Sequence, residues 1–217
     1  MPGTKAGEAA RREQVLTAAY HLATKRGLSA LTIRDVAHRA GLSSGLVLFH
    51  FGNKEQLLLA LLEWVLAATT VLRVGPEILA IEPPIDRLLA LVRQEMERQS
   101  SEPARIRLFF DFWSAAIWNR PIRVRMKREL DRYRDAFLPI ATDVLAAEPD
   151  RFPGVTAEGL SAVAVSFIKG CAVQSMIEPE LDIAEFLAAV EGLIEQRRRD
   201  GATRHRRRAS SRTPTAL

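Results

Sequence analysis

Residues 31–55, LTIRDVAHRAGLSSGLVLFHFGNKE, decide the fold. Two short helical patterns lie on either side of a glycine-containing turn. The first opens at Thr32, whose hydroxyl can cap a helix with Asp35 in the capping-box position, and Ile33, Val36, Ala37 and Ala40 fall on one face. Gly41 ends that helix, since a left-handed turn residue costs glycine least. Leu42 can pack back as the apolar plug of the turn. Ser43 is placed to cap a second helix running from about Ser44 to Phe51, and Gly52 stops it. Two helices joined in this way, here over about 32–51, are how a helix-turn-helix presents its second helix to the DNA major groove.

Upstream, Val15, Leu16, Ala19, Leu22 and Ala23 mark an amphipathic helix over about 8–26, closed by Gly27. Downstream, Asn53 with Gln56 caps a longer helix, KEQLLLALLEWVLAATTVL. Beyond residue 80 the pattern predicts helices over about 85–100, 103–119, 121–148, 156–177 and 181–198, with Pro103, Pro121, Pro149 and Pro153 at their ends. No alternating strand pattern is present, so the predicted fold is all-α. The expected division is a DNA-binding domain over 8–56, a ligand-binding and dimerisation domain over 57–198, and an Arg-rich disordered tail over 199–217.

A chain of 217 residues with 47% hydrophobic content can bury a substantial core. The run LLLALLEWVLAATTVL is interrupted by Glu63 within an amphipathic helix, and no signal-peptide pattern precedes the first helix, so no membrane span is expected. The single cysteine, Cys171, excludes an intramolecular disulfide and fits a reducing cytoplasm, where the protein is expected to reside; its place in an apolar helix reads as packing. Charge is segregated along the chain. Residues 1–54 hold eight Lys/Arg against three Asp/Glu, residues 55–196 hold 15 against 22, and residues 197–217 hold eight against one. An acidic body between basic ends fits a protein that meets nucleic acid with its N-terminal domain. If the tail adds nonspecific phosphate contacts, deleting 201–217 should reduce the salt slope of DNA binding without changing sequence preference.

Residues 11–58 resemble the N-terminal DNA-binding domain of the tetracycline-repressor (TetR) family of bacterial regulators. The resemblance rests on Gly27, Thr32, Val36-Ala37, Gly41-Leu42-Ser43, Gly45, Phe49-His50-Phe51 and Asn53-Lys54-Glu55. The stretch around Phe112-Trp113-Ser114 and Pro121, followed by a basic helix, is similar to the branch typified by the choline-responsive repressor of betaine synthesis. The resemblance implies that the last two helices form a four-helix bundle across a two-fold axis, and that Val47 and Phe51 are core. Many relatives carry Lys, Thr and Tyr where Ser44, Leu46 and Leu48 stand. This recognition surface therefore has fewer hydrogen-bonding side chains, which predicts a larger share of specificity from thymine methyls and DNA shape.

The residues expected at DNA are Thr32, Arg34, Ser43, Ser44, Gly45, Leu46, Leu48, Phe49, His50 and Lys54. Gly45 would let the backbone approach a base edge, Ser43 and Ser44 can donate to phosphate or bases, and Thr32, Arg34, His50 and Lys54 can hold phosphates. The aromatic segment LFFDFWSAAIW is the best pocket candidate. Aromatic clusters usually pack as core; the functional alternative is that Phe109, Phe112, Trp113, Ala116 and Ile117 line a cavity with Met96, Met126, Tyr133, Cys171, Gln174 and Met176, suited to a small, largely apolar or aromatic effector. Asp111 reads as an exposed helix-surface carboxylate. Small residues among apolar ones allow close helix packing, in an intrachain core or between chains, and the resemblance implies that Ala162, Val163, Phe167, Gly170, Leu187, Val190 and Leu193 lie at a homodimer interface. A dimer reading a palindromic operator is expected because one short recognition helix makes too few contacts.

An enzyme is not expected, since no phosphate loop, Ser-His-Asp order or paired ligand motif is present, and four scattered histidines hold no metal or cofactor. The rivals are a nonspecific DNA architectural protein, favoured by the Arg tail, and a helical enzyme.

Overall fold

The computed structural model describes residues 2–68, 74–178 and 180–194, with the side chains of 2–6, Ala68 and Ser100 excepted. In chain order the helices are α1 (Pro2–Arg26), α2 (Ile33–Arg39), α3 (Ser44–Phe51), α4 (Lys54–Ala68), α5 (Pro76–Leu79), α6 (Pro84–Ser101), α7 (Pro103–Trp118), α8 (Arg120–Ala147) and α9 (Ala157–Ile177), followed by a helical stretch over 183–194. There is no strand among the described residues. The all-α expectation holds, and the predicted helix ends agree to within about two residues. The exceptions are α1, which extends upstream to Pro2, and α5, which the sequence pattern did not announce. The ends expected for the fourth helix, after residue 68, and for the last, at 195–198, lie outside the described residues, as does the Arg-rich tail.

The capping chemistry is the reason the helices stop and start where they do. Thr32 and Ser43 accept from the backbone N–H groups of Asp35 and Leu46, and Asn53 and Thr156 serve Gln56 and Gly159 in the same way. Gly41 sits at φ +66°, a conformation that side chains resist, and brings Leu42 N–H onto Ala37 O at 2.9 Å.

Two compact units form. Among the described residues, the first contains 2–68 and 101–132, and the second contains 74–100 and 133–194. This differs from the division drawn at residue 56. Leu108, Phe112, Ala116, Ile122 and Met126 are buried in the same core as Val15, Val36, Val47, Phe51 and Leu61, so α7 and the start of α8 are structural parts of the first unit. An aromatic-rich helix has no period that distinguishes lining a cavity from packing on a neighbour, so sequence alone could not decide this.

In the second unit, α9 is long and apolar enough by composition to cross a membrane. Its inner face, Ala164, Val165, Ile168, Cys171 and Ala172, is instead buried within the unit.

Candidate nucleic-acid interface

Val47 and Phe51 point into the core of the first unit and fix the roll of α3. Side chains four apart on a helix share a face, so the outward stripe is Ser44, Gly45, Leu48 and Phe49, all exposed. Phe49 is 79% exposed and Leu48 41%. Leu46 is half-buried, so the exposed apolar part of the stripe consists of Leu48 and Phe49. A Cβ at Gly45 would meet nothing nearer than Ser43 Oγ at 3.9 Å, so the space in front of it is open.

Helix α1 holds this surface in place. The last carbonyls of a helix lack intrahelical partners. Arg12 Nη1 donates to His50 O at 2.6 Å while its guanidinium lies 4.5 Å above the Phe51 ring, and Gln14 Nε2 donates to Ala40 O at 2.7 Å. The ends of α2 and α3 are thereby tied to one rigid element. Trp64 Nε1 donates to Glu13 at 2.9 Å, which brings α4 into the same assembly.

The structure sharpens the roles of the polar candidates. Arg34, Ser43, Ser44 and Lys54 are exposed. The Ser43 oxygen accepts from Leu46 N–H, which leaves its proton for an external acceptor. Thr32 differs, because its hydroxyl donates to Asp35 Oδ2 at 2.8 Å and its one proton is already committed. His50 Nδ1 is buried without a partner among the described residues, so a phosphate contact from this ring must use Nε2.

Asp111 is corrected from a free surface carboxylate. Its Oδ2 accepts the Leu28 N–H at 3.0 Å, immediately after Gly27 at φ +81° has ended α1. Asn119 reaches Glu55 at 3.3 Å, Arg125 reaches Glu63 at 2.6 Å, and Arg105 Nη2 donates to Val65 O at 3.2 Å. These bonds, spaced along α4, join α7 and the start of α8 to the helix that follows the recognition helix.

The expected pocket residues separate. Phe112, Ala116 and Met126 are core of the first unit, and Phe109 and Trp113 pack partly buried against it. Ile117 is 58% exposed and lines no interior. These corrections share a cause: α7 and the start of α8 spend their apolar faces on the core of the first unit. In the second unit Met96, Tyr133 and Cys171 are buried, Met176 is half-buried and Gln174 is exposed.

Around Tyr133 lies a buried polar cluster whose other members were not foreseen. Glu95 accepts from the Tyr133 hydroxyl and forms a two-pronged pair with Arg98, with Nη2 2.7 Å from Oε2 and Nε 3.0 Å from Oε1. Lys169 Nζ lies 4.3 Å above the Tyr133 ring. With the Tyr133 proton given to Glu95, its oxygen can only accept, so Gln99 presents its NH₂ there at 3.4 Å, and the Gln99 Oε1 is buried without a partner among the described residues. Burial, reinforced by the Glu95 charge, holds the Tyr133 hydroxyl well above the usual tyrosine range, and the carboxylate of Glu95 holds the Arg98 guanidinium above its own. The i, i+4 pair Glu95 and Gln99 on an amphipathic helix was the available signal, but such pairs ordinarily face solvent.

Of the expected dimer residues, Val163 and Leu193 are 65% and 67% exposed, and Ala162, Phe167, Gly170 and Val190 are half-buried. Leu187 is buried within its own chain and is removed from that face.

A capped three-helix head with an outward recognition stripe defines the class of helix-turn-helix regulatory proteins. Residues 15–61 match the bacterial regulatory proteins of the tetR family, and residues 84–199, more than half of the chain, match the BetI-type transcriptional repressor C-terminal family. The chain belongs to the TetR family, with a C-terminal domain of BetI type. It is 30% identical over 128 residues to the HTH-type transcriptional regulator BetI of Stenotrophomonas maltophilia, covering 59% of this chain and 65% of that protein. With BetI of Paraburkholderia phytofirmans it is 29% identical over 113 residues, covering 52% and 58%. The chain thus spans less than two thirds of the length of these curated relatives. The family and these relatives are transcriptional regulators, not enzymes.

The fold is shared with a TetR transcription regulator from Haloarcula marismortui (TM-score 0.64, 20% identity, 87% of this chain and 96% of that one). It is shared equally with a Saccharomonospora viridis protein described as a transcriptional regulator and solved with choline (TM-score 0.66, 22% identity, 86% and 96%). FadR of Bacillus subtilis, solved with stearoyl-CoA, gives a TM-score of 0.65 at 16% identity over 84% and 96%.

Proposed function

We propose that this chain is a homodimeric repressor that binds a palindromic operator through α3 and is released from it by a small-molecule effector. The observation that carries the reading is the exposed stripe Ser44, Gly45, Leu48 and Phe49 on a short helix immobilised by Val47, Phe51 and Arg12. Such a surface has no use within the monomer and has the form that enters a major groove. Arg34, Ser43, Lys54 and His50 flank it for phosphates, in an N-terminal segment with eight Lys/Arg against three Asp/Glu.

Dimerisation supplies the second recognition helix. The exposed Val163 and Leu193, with Gly170 and Gly192 open at their missing Cβ atoms, support a close helix contact with a second copy. The effector site is assigned to the second unit, where Gln99 Oε1 and the Tyr133 ring combine an unmet acceptor with an aromatic wall. Two proteins of the same fold hold small molecules, choline and stearoyl-CoA.

The test is to bind the purified protein to fragments of its own genome at physiological salt and sequence the retained DNA, with the mass in solution measured by light scattering. A short palindrome near a promoter, bound by a dimer, is the expected result. Uniform retention erased by salt would replace this reading with nonspecific packaging of DNA.

A further inference from the structure

We infer that the recognition helix reads C5-methyl groups of pyrimidines, so that operator affinity responds to cytosine methylation as well as to thymine. The inference rests on the reading that α3 enters the major groove, and it names the chemistry found there.

The two large exposed side chains of α3 are Leu48 and Phe49, and neither carries a hydrogen-bonding atom. They lie one turn beyond Ser44 and Gly45 on the same stripe, and the open space before Gly45 allows a base edge to come close to the backbone. A major-groove edge offers an apolar surface one group at a time: the C5-methyl of thymine. Adenine, guanine and unmodified cytosine present only polar atoms or ring hydrogens to such side chains. The basic N-terminal segment brings this apolar stripe to a polyanion, which argues for DNA as its occupant over an apolar protein surface. C5-methylcytosine places the same methyl at the same position of the pyrimidine ring, so side chains that sense only the methyl cannot tell the two bases apart. Each methyl buried against Leu48 or Phe49 is worth about fourfold in affinity, and about 15-fold when both half-sites of a dimer carry it.

The experiment uses the full-length protein and the operator recovered from its genome, with affinity measured by fluorescence anisotropy at fixed salt. Thymines are replaced singly by uracil, and at each sensitive position cytosine and 5-methylcytosine are compared in the same duplex. The expected result is a loss of about fourfold on removing the thymine methyl at one or two positions per half-site, and a gain of similar size from methylating cytosine there. Both effects should vanish in Leu48→Ala or Phe49→Ala, variants whose unchanged melting temperature shows that they fold. A palindrome bound with less than twofold change at every position overturns the methyl inference while the operator reading stands. Equal losses in the variants on methylated and unmethylated DNA overturn it as well. If no palindrome is recovered, both readings fall.

Discussion

The recognition helix of the first unit turns Leu48 and Phe49 to solvent, whereas the second unit buries Glu95, Gln99 and Tyr133. Each region reverses the ordinary partition of side chains, and each departure costs free energy in the isolated chain. An exposed Phe gains nothing from burial, and a buried amide oxygen without a donor forgoes a hydrogen bond it had in water. The difference lies in what restores the balance. The outward stripe has Phe49 largely exposed, with its ring against that of His50, while the inner cluster is largely satisfied internally through Arg98 and the Tyr133 hydroxyl. Mutations in the first region should therefore affect binding alone, and those in the second should affect stability first.

The largest expected effect tests whether α7 belongs structurally to the head. Phe112→Ala should destabilise the first unit by about 3–5 kcal/mol in urea denaturation, because it empties a fully buried site next to the helix-turn-helix core. A loss below about 1 kcal/mol would return Phe112 to a cavity wall. Next, Glu95→Ala should cost about 2–4 kcal/mol in the same assay, since it strands the Tyr133 hydroxyl and half-buried Arg98. Asp111→Ala, which leaves the Leu28 N–H without its acceptor, should cost about 1–2 kcal/mol. At the bottom of the scale, Phe49→Ala should change stability by no more than about 0.5 kcal/mol while sharply weakening operator binding; a large drop in melting temperature would show that the stripe packs after all.

The inner cluster also has a pH signature. The Tyr133 hydroxyl ionises with more difficulty in the folded chain than in the unfolded one, first because it is buried and then because Glu95 is negative. Its contribution is fully present below the unfolded tyrosine pKa of about 10 and is lost as pH rises above it. Unfolding followed by circular dichroism should accelerate with alkali above that point, and Tyr133→Phe should flatten the dependence. Burial likewise pushes the Cys171 thiol up, so iodoacetamide should modify it slowly in the folded protein and readily in urea.

What the sequence by itself determined is local. Thr32, Gly41, Ser43, Gly52 and Asn53 act on backbone groups within a few residues, so the helix boundaries, the turn and the all-α class could be read from spacing alone. Helical periodicity puts Val47 and Phe51 on one face, and the family resemblance marked that face as the buried one. Tertiary structure decided which of several apolar faces each helix would spend and on what. Phe112 and Ala116 had the composition of a ligand cavity and became core of the first unit, because α7 packs against α1, and Met126 at the start of α8 is buried in the same core. Leu46 is half-buried while Leu48 is exposed, and Asp111 found a partner 83 residues away. Glu95 and Gln99, which periodicity alone would assign to solvent, were enclosed with Tyr133. Those outcomes depend on contacts between residues far apart in the chain, and side-chain chemistry at one position carries no record of the neighbour that folding will bring to it.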